Sequence, residues 1–119
     1  MKISIIQQDI VWADVAENLR KTDAAVDSMP GSDLYVLPEM FSTGFCTVPE
    51  GIAEKEGLTL EWMKKKAAQT DAAIAGSVAV EEEGRYYNRF YFVQPDGKVS
   101  YYDKKHLFTY GGEHERFTA

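Results

Sequence analysis

Cysteine is almost missing from this chain. Cys46 is the one thiol in 119 residues, so no internal disulfide can form, and the covalent staples of small secreted domains are excluded. Long apolar runs are missing too, and nothing approaches the roughly 20 residues that a membrane-spanning helix needs. No positively charged leader precedes an apolar stretch, because Met1-Lys2 runs straight into a short strand, and no signal peptide is expected. Positive charge is scarce: 13 Lys and Arg stand against 19 Asp and Glu, for a net charge of −6. The single basic run, Lys64-Lys65-Lys66, lies in a helical pattern and reads as a solvated face. Nucleic acid needs many phosphate-neutralising cations, so it is not expected as a partner. Metal-ligand spacing is lacking as well, since Cys46, His106, Glu113 and His114 follow no ligand motif. The absences together predict a cytoplasmic protein with no membrane or nucleic-acid partner and no metal.

What is present is enough to fold. Hydrophobic residues make up 45% of the chain and aromatic residues 13%, too apolar for disorder. The order of elements is α/β. A strand over roughly 2–7 is followed by a helix that opens with Asp14 as N-cap and Glu17 three residues on, close to a capping box. Val15, Leu19, Val26 and Met29 recur at near-helical spacing, and Pro30-Gly31 ends the element. The apolar run Leu34-Tyr35-Val36-Leu37 reads as a buried strand, and strand-helix-strand implies a right-handed crossover with parallel pairing. Residues 42–57 hold three glycines and Pro49 and read as a long, substrate-facing loop. Thr59 is the expected N-cap of a second helix that packs Trp62, Met63 and Ala67. The small and β-branched residues of 73–80 suit a strand covered on both faces. Glu81-Glu82-Glu83-Gly84 then turns the chain, and two β-rich runs over 85–93 and 98–102 flank the turn Gln94-Pro95-Asp96-Gly97. The aromatic residues of this hairpin, from Tyr86 to Tyr102, read as packing rather than recognition.

Two strand ends carry the chemistry. The run 34–37 stops at Pro38-Glu39, which delivers a carboxylate to the carboxyl end of a strand, where α/β sheets gather ligands. Taken alone, Glu39 also fits a loop carboxylate facing water. A second strand delivers Asp103-Lys104-Lys105-His106. A Glu and a Lys at neighbouring strand ends suit a reaction in which one group moves a proton and the other stabilises an oxyanion. A structural ion pair in an ordinary α/β binding domain fits the same two residues. Cys46 reads as an unreactive, half-buried thiol, because no histidine lies near it to lower its pKa.

Leu37-Pro38-Glu39-Met40-Phe41 and Asp103-Lys104-Lys105-His106-Leu107-Phe108, in this order, resemble the two leading signatures of the nitrilase superfamily of carbon-nitrogen hydrolases. The opening Ile3-Ser4-Ile5-Ile6-Gln7-Gln8 resembles that family's first strand, and the likeness runs the length of the chain. It implies the N-terminal half of an α-β-β-α sandwich, with residues 1–119 one portion of a single hydrolase domain about twice this length. It further implies amide hydrolysis through a thioester, with Glu39 as proton carrier and Lys104 as oxyanion donor. Glu113, or in a second register Glu115, would hold the lysine. The nucleophilic cysteine of the family would lie beyond Ala119, and Cys46 matches no catalytic position. The motifs look most like the ω-amidase branch, acting on small α-keto dicarboxylate monoamides without a cofactor. Homo-oligomers, dimers above all, are also implied. The alternative is a non-catalytic fragment or pseudoenzyme that binds only a ligand or partner.

Overall fold

The computed structural model describes residues 1–45, 48–105, 107 and 112–118. Its elements are β1 (Ile3–Ile5), α1 (Val15–Asp27), β2 (Leu34–Val36), α2 (Leu58–Thr70), β3 (Ala73–Glu82), β4 (Arg85–Val93), β5 (Val99–Asp103) and a short α3 (Glu113–Arg116). The five strands form one sheet in sequence order. β1, β2 and β3 are parallel, joined by α1 and by the loop and helix that end at α2. β3, β4 and β5 are antiparallel hairpins.

Period-two alternation divides the sheet into two unlike faces. On one, Tyr35, Ile74 and Val93 are in register across β2, β3 and β4, and all are buried with Leu19, Val26, Met63 and Ala67 of the helices. On the other, Ile5, Val36, Ala75 and Phe92 form one row and Ser77, Phe90 and Tyr102 the next. Neither α1 nor α2 covers this second face, and Ile3, Ile5, Phe90 and Tyr102 are 53%, 72%, 42% and 54% exposed.

Local signals explain most element ends. The Asp14 carboxylate accepts the Glu17 N–H at 3.1 Å, whereas the Glu17 side chain turns to Arg20 instead of closing the capping box. The Gln94–Gly97 turn closes as expected, with the Gly97 N–H on the Gln94 carbonyl at 3.0 Å. β3 runs two residues further than its small residues suggest. The turn tightens to Glu83-Gly84, both at positive φ (52° and 76°), which matches the twist that a two-residue hairpin requires.

Two expectations for α2 fail. Thr59 does not cap it: the helix starts at Leu58 after Gly57, and Thr59 lies buried inside the first turn. The capping acceptor is Glu54, which takes the Thr59 N–H at 2.8 Å and the Thr59 hydroxyl. A carboxylate from a preceding loop does the same electrostatic work as a capping side chain. The lysine run is not a solvated face throughout. Lys65 is exposed, but the Lys66 side chain is 2% exposed, with its ammonium 3.0 Å from Asp23 and 2.6 Å from Asp27 of α1. Its aliphatic stem packs at the helix-helix contact while two carboxylates on the rim hold the charge.

Since those aspartates are half exposed and can rehydrate, Lys66→Met should leave denaturant unfolding of the full-length protein almost unchanged. Lys66→Ala should cost about 2 kcal/mol through lost packing. A Lys66→Met penalty as large as that of Lys66→Ala would assign the stability to the charge instead. The uncovered sheet face gives a second prediction. Expressed alone, the 119-residue chain should self-associate and bind a dye that reports apolar surface; a dye-silent monomer in light scattering would contradict this.

Candidate active site

The end of β2 presents Glu39. Beyond Val36 the ladder continues for one more bond, from the Leu37 N–H to the Ala75 carbonyl at 2.8 Å, and Pro38 then ends it by lacking a donor. Met40 turns the chain with a left-handed backbone, φ 49°. Its N–H donates to the Ser77 hydroxyl at 2.9 Å, and its side chain is buried with Ala79 and Phe117. Phe41 packs over Gly76, where a Cβ would sit 3.1 Å from both the Leu37 Cβ and the Phe41 ring. The glycine is there for close approach: a side chain would push this turn off the sheet.

β5 ends one residue before Lys104, and its backbone is fixed twice. The Lys104 N–H donates to the Asn88 carbonyl at 2.9 Å. Asp103 is gripped by the Arg89 guanidinium, Nε to Oδ1 at 2.7 Å. Arg89 also meets Glu82 and lies over the Tyr87 and Tyr101 rings, and these ion pairs raise its pKa well above the usual arginine range. Glu113 arrives from the other direction. Phe117 forms a parallel bridge to Tyr86, and the Thr118 N–H donates to the Tyr86 carbonyl, so α3 lies against β4 two residues from Asn88.

The structure brings all three sequence candidates together on the face the helices leave open. The Lys104 ammonium is 3.0 Å from Glu39 Oε2 and 3.0 Å from Glu113 Oε1, and 5.4 Å from the centre of the Phe45 ring. Glu115, the second register, is exposed and makes no ion pair with Lys104 among the described residues. Burial separates the two carboxylates: the Glu39 side chain is 45% exposed and the Glu113 side chain 0%. Glu39 can therefore reach a solute, while Glu113 reaches protein groups. Of the residues weighed as metal ligands, Cys46 and His106 lie outside the described residues. Among the described residues no His, Cys, Asp or Glu group has a metal-holding arrangement.

Leu37, Glu39, Ser77, Asn88, Phe90, Tyr102 and Lys104 line a cavity of about 330 Å³, the size of a small-ligand site. Phe90 and Tyr102 are thus cavity walls, a correction to their reading as packing residues. Sequence reasoning also missed Asn88, whose amide nitrogen is 2.6 Å from Glu39 Oε2 and 2.9 Å from Glu113 Oε2, and it missed Ser77. A signal existed for both. Asn is depleted in strands, yet Asn88 sits amid Tyr86, Tyr87 and Phe90, and Ser77 is the one hydroxyl in the buried run 73–80.

Partial burial alone would lower the Lys104 pKa, but hydrogen bonds and attraction from Glu39 and Glu113 outweigh it, and the value is raised. A raised value means that the ammonium and its ion pairs persist below the ordinary 10.5. They are lost only as the pH climbs through the higher folded value. In the full-length protein the Lys104 ammonium, followed by 15N NMR, should therefore stay protonated up to at least pH 10.5. A midpoint below that value would contradict it.

The chain thus combines a parallel sheet half and its helix layer with one antiparallel flank, and brings Glu39 and Lys104 at two strand ends to Glu113 of α3. Residues 2–119 match the carbon-nitrogen hydrolase family, and the chain belongs to that family. It is 42% identical over its whole length to the omega-amidase YafV of Escherichia coli K12, of which it covers 46%. A CN-hydrolase superfamily protein from Xanthomonas campestris, solved with an arsenic adduct in its active site, superposes with TM-score 0.93 at 41% identity. The match covers 98% of this chain and 45% of that one. Nit3 of Saccharomyces cerevisiae, from branch 10 of the nitrilase superfamily, shares the fold. Its TM-score is 0.81 at 24% identity, over 99% of this chain and 48% of the other. The chain thus spans about half the length of these relatives and is the N-terminal half of the nitrilase-like fold. Among the described residues no helix is long and apolar enough to cross a membrane.

Proposed function

We propose that the whole protein hydrolyses the amide C–N bond of a small molecule, and that this segment supplies its proton carrier and oxyanion donor. The observation that carries the reading is one ammonium held at 3.0 Å from a cavity-facing carboxylate and 3.0 Å from a fully buried one. An ion pair with only a structural role does not need a cavity beside it.

In the proposed reaction a cysteine thiol from a segment beyond Ala119 loses its proton to Glu39 and attacks the amide carbonyl carbon. The carbonyl oxygen takes the electron pair and is stabilised by Lys104. The tetrahedral intermediate collapses to a thioester as Glu39 returns the proton to the departing amine or ammonia. Glu39 then takes a proton from water, the hydroxide attacks the thioester, and the acid leaves as Glu39 returns that proton to the departing thiolate. Glu39 Oε2 already accepts from Lys104 and Asn88, so among the described residues Oε1 is the oxygen left for proton exchange. Glu113 keeps Lys104 charged and oriented. The 42% identity to an omega-amidase favours a side-chain amide of a small α-keto dicarboxylate as substrate. A cytoplasmic homodimer is the working form in this reading.

Glu39→Gln removes the proton acceptor at almost constant volume. In the full-length protein it should abolish ammonia release from such an amide while leaving circular dichroism and the unfolding midpoint in place. An unchanged kcat would reject Glu39 as the base.

A further inference from the structure

Asn88 touches every member of the cluster. Its backbone carbonyl accepts the Lys104 N–H at 2.9 Å. Its side-chain nitrogen has two hydrogens and gives one to each carboxylate, Glu39 at 2.6 Å and Glu113 at 2.9 Å. Carboxylates only accept, so the amide must present nitrogen to both, which fixes its orientation. The residue is 1% exposed at mid-strand, opposite Ala79. Among the described residues its Oδ1 is buried with no hydrogen-bond partner. The side chain is held through its nitrogen.

We propose that Asn88 is the positioning residue of this site: it holds two mutually repelling carboxylates side by side against Lys104 without adding charge. The choice of residue follows from the chemistry. Ser has one donor hydrogen, Lys would add a second cation that competes with Lys104, and Asp would supply no donor and a third negative charge. Only a neutral side chain with two hydrogens on one nitrogen and a short reach can bridge oxygens from two different segments here. Among the described residues the charged groups facing it are Glu39 from the end of β2, Glu113 from α3 and Lys104 after β5; Ala79 and Ser77 of β3 present none. Glu39 is thereby tethered through Oε2 from two sides.

The inference rests on the amidase reading for its kinetic consequence but not for its geometry, and the test separates the two. In the full-length protein, Asn88→Asp and Asn88→Ala should each lower kcat by on the order of 10²-fold, with KM within a few fold. A merely structural lesion would lower the unfolding midpoint together with activity, or raise KM as much as it lowers kcat. Wild-type kcat in both variants would overturn the proposal while leaving the amidase reading in place. The second measurement needs no turnover and no variant that folds. In 15N-labelled wild-type protein, both Asn88 Nδ2 hydrogens should be protected from solvent exchange and should shift as the carboxylates titrate. Surface-like exchange would overturn the proposal whatever the enzyme does. Protected hydrogens in a protein that hydrolyses no amide would instead sink the amidase reading and keep the positioning geometry.

Discussion

Taking the Glu113 carboxylate out of water is the most demanding step in assembling this structure. A fully buried charge without partners is strongly unfavourable, and truncating one partner of a buried pair typically costs about 3–5 kcal/mol. Both Glu113 oxygens are met, one by the Lys104 ammonium and one by the Asn88 amide. Those two donors come from the residue that follows β5 and from the middle of β4, and Asn88 reaches on to Glu39 after β2. The satisfaction of one carboxylate thus ties together three strands and the C-terminal segment. The left-handed Met40 backbone, the Ser77 acceptor and the close Gly76 contact are what that geometry requires of the β2 turn.

The sheet divides its work by face. α1 and α2 cover the side built from Tyr35, Ile74 and Val93, and this supplies the main core. The opposite side carries the cluster at its carboxyl end and an apolar surface of Ile3, Ile5, Phe90 and Tyr102 beside it. Placing the site there puts the charged groups next to surface that water does not favour, so a ligand or packed segment covering that face would also dry the cluster. Electrostatic stabilisation strengthens as the local dielectric falls. The Arg89 network on the other face keeps β5 and its terminal Asp103 in place without intruding on the cavity.

Much of the fold was legible because its signals are local. Asp14 caps α1, the Gln94–Gly97 turn joins β4 to β5, and the apolar runs alternate as strands should. The errors arose where a residue outside the element itself supplied the partner or the setting. Thr59 has the chemistry of an N-cap, but Glu54 reaches the helix start first. Lys66 belongs to a run that looks solvated, yet Asp23 and Asp27 of α1 allow it to be buried. Phe90 and Tyr102 look like any other strand aromatics until the register sets them beside Ser77.

By itself the sequence determined the element order, the half-domain likeness and the identity of Glu39, Lys104 and Glu113 as residues to watch. The element order and the placing of Glu39 and Lys104 at strand ends depend on composition and spacing within a few residues of chain, whereas the half-domain likeness and Glu113 are what the resemblance to the carbon-nitrogen hydrolases implies. Only the tertiary structure decided that the three groups meet, that Glu39 faces a cavity while Glu113 is sealed, and that Asn88 stands between them. Asn88 and Glu39 are 49 positions apart, and Lys104 and Glu39 are 65. Contacts at such separations are set by strand order and register, which a one-residue slip would invert from one face of the sheet to the other.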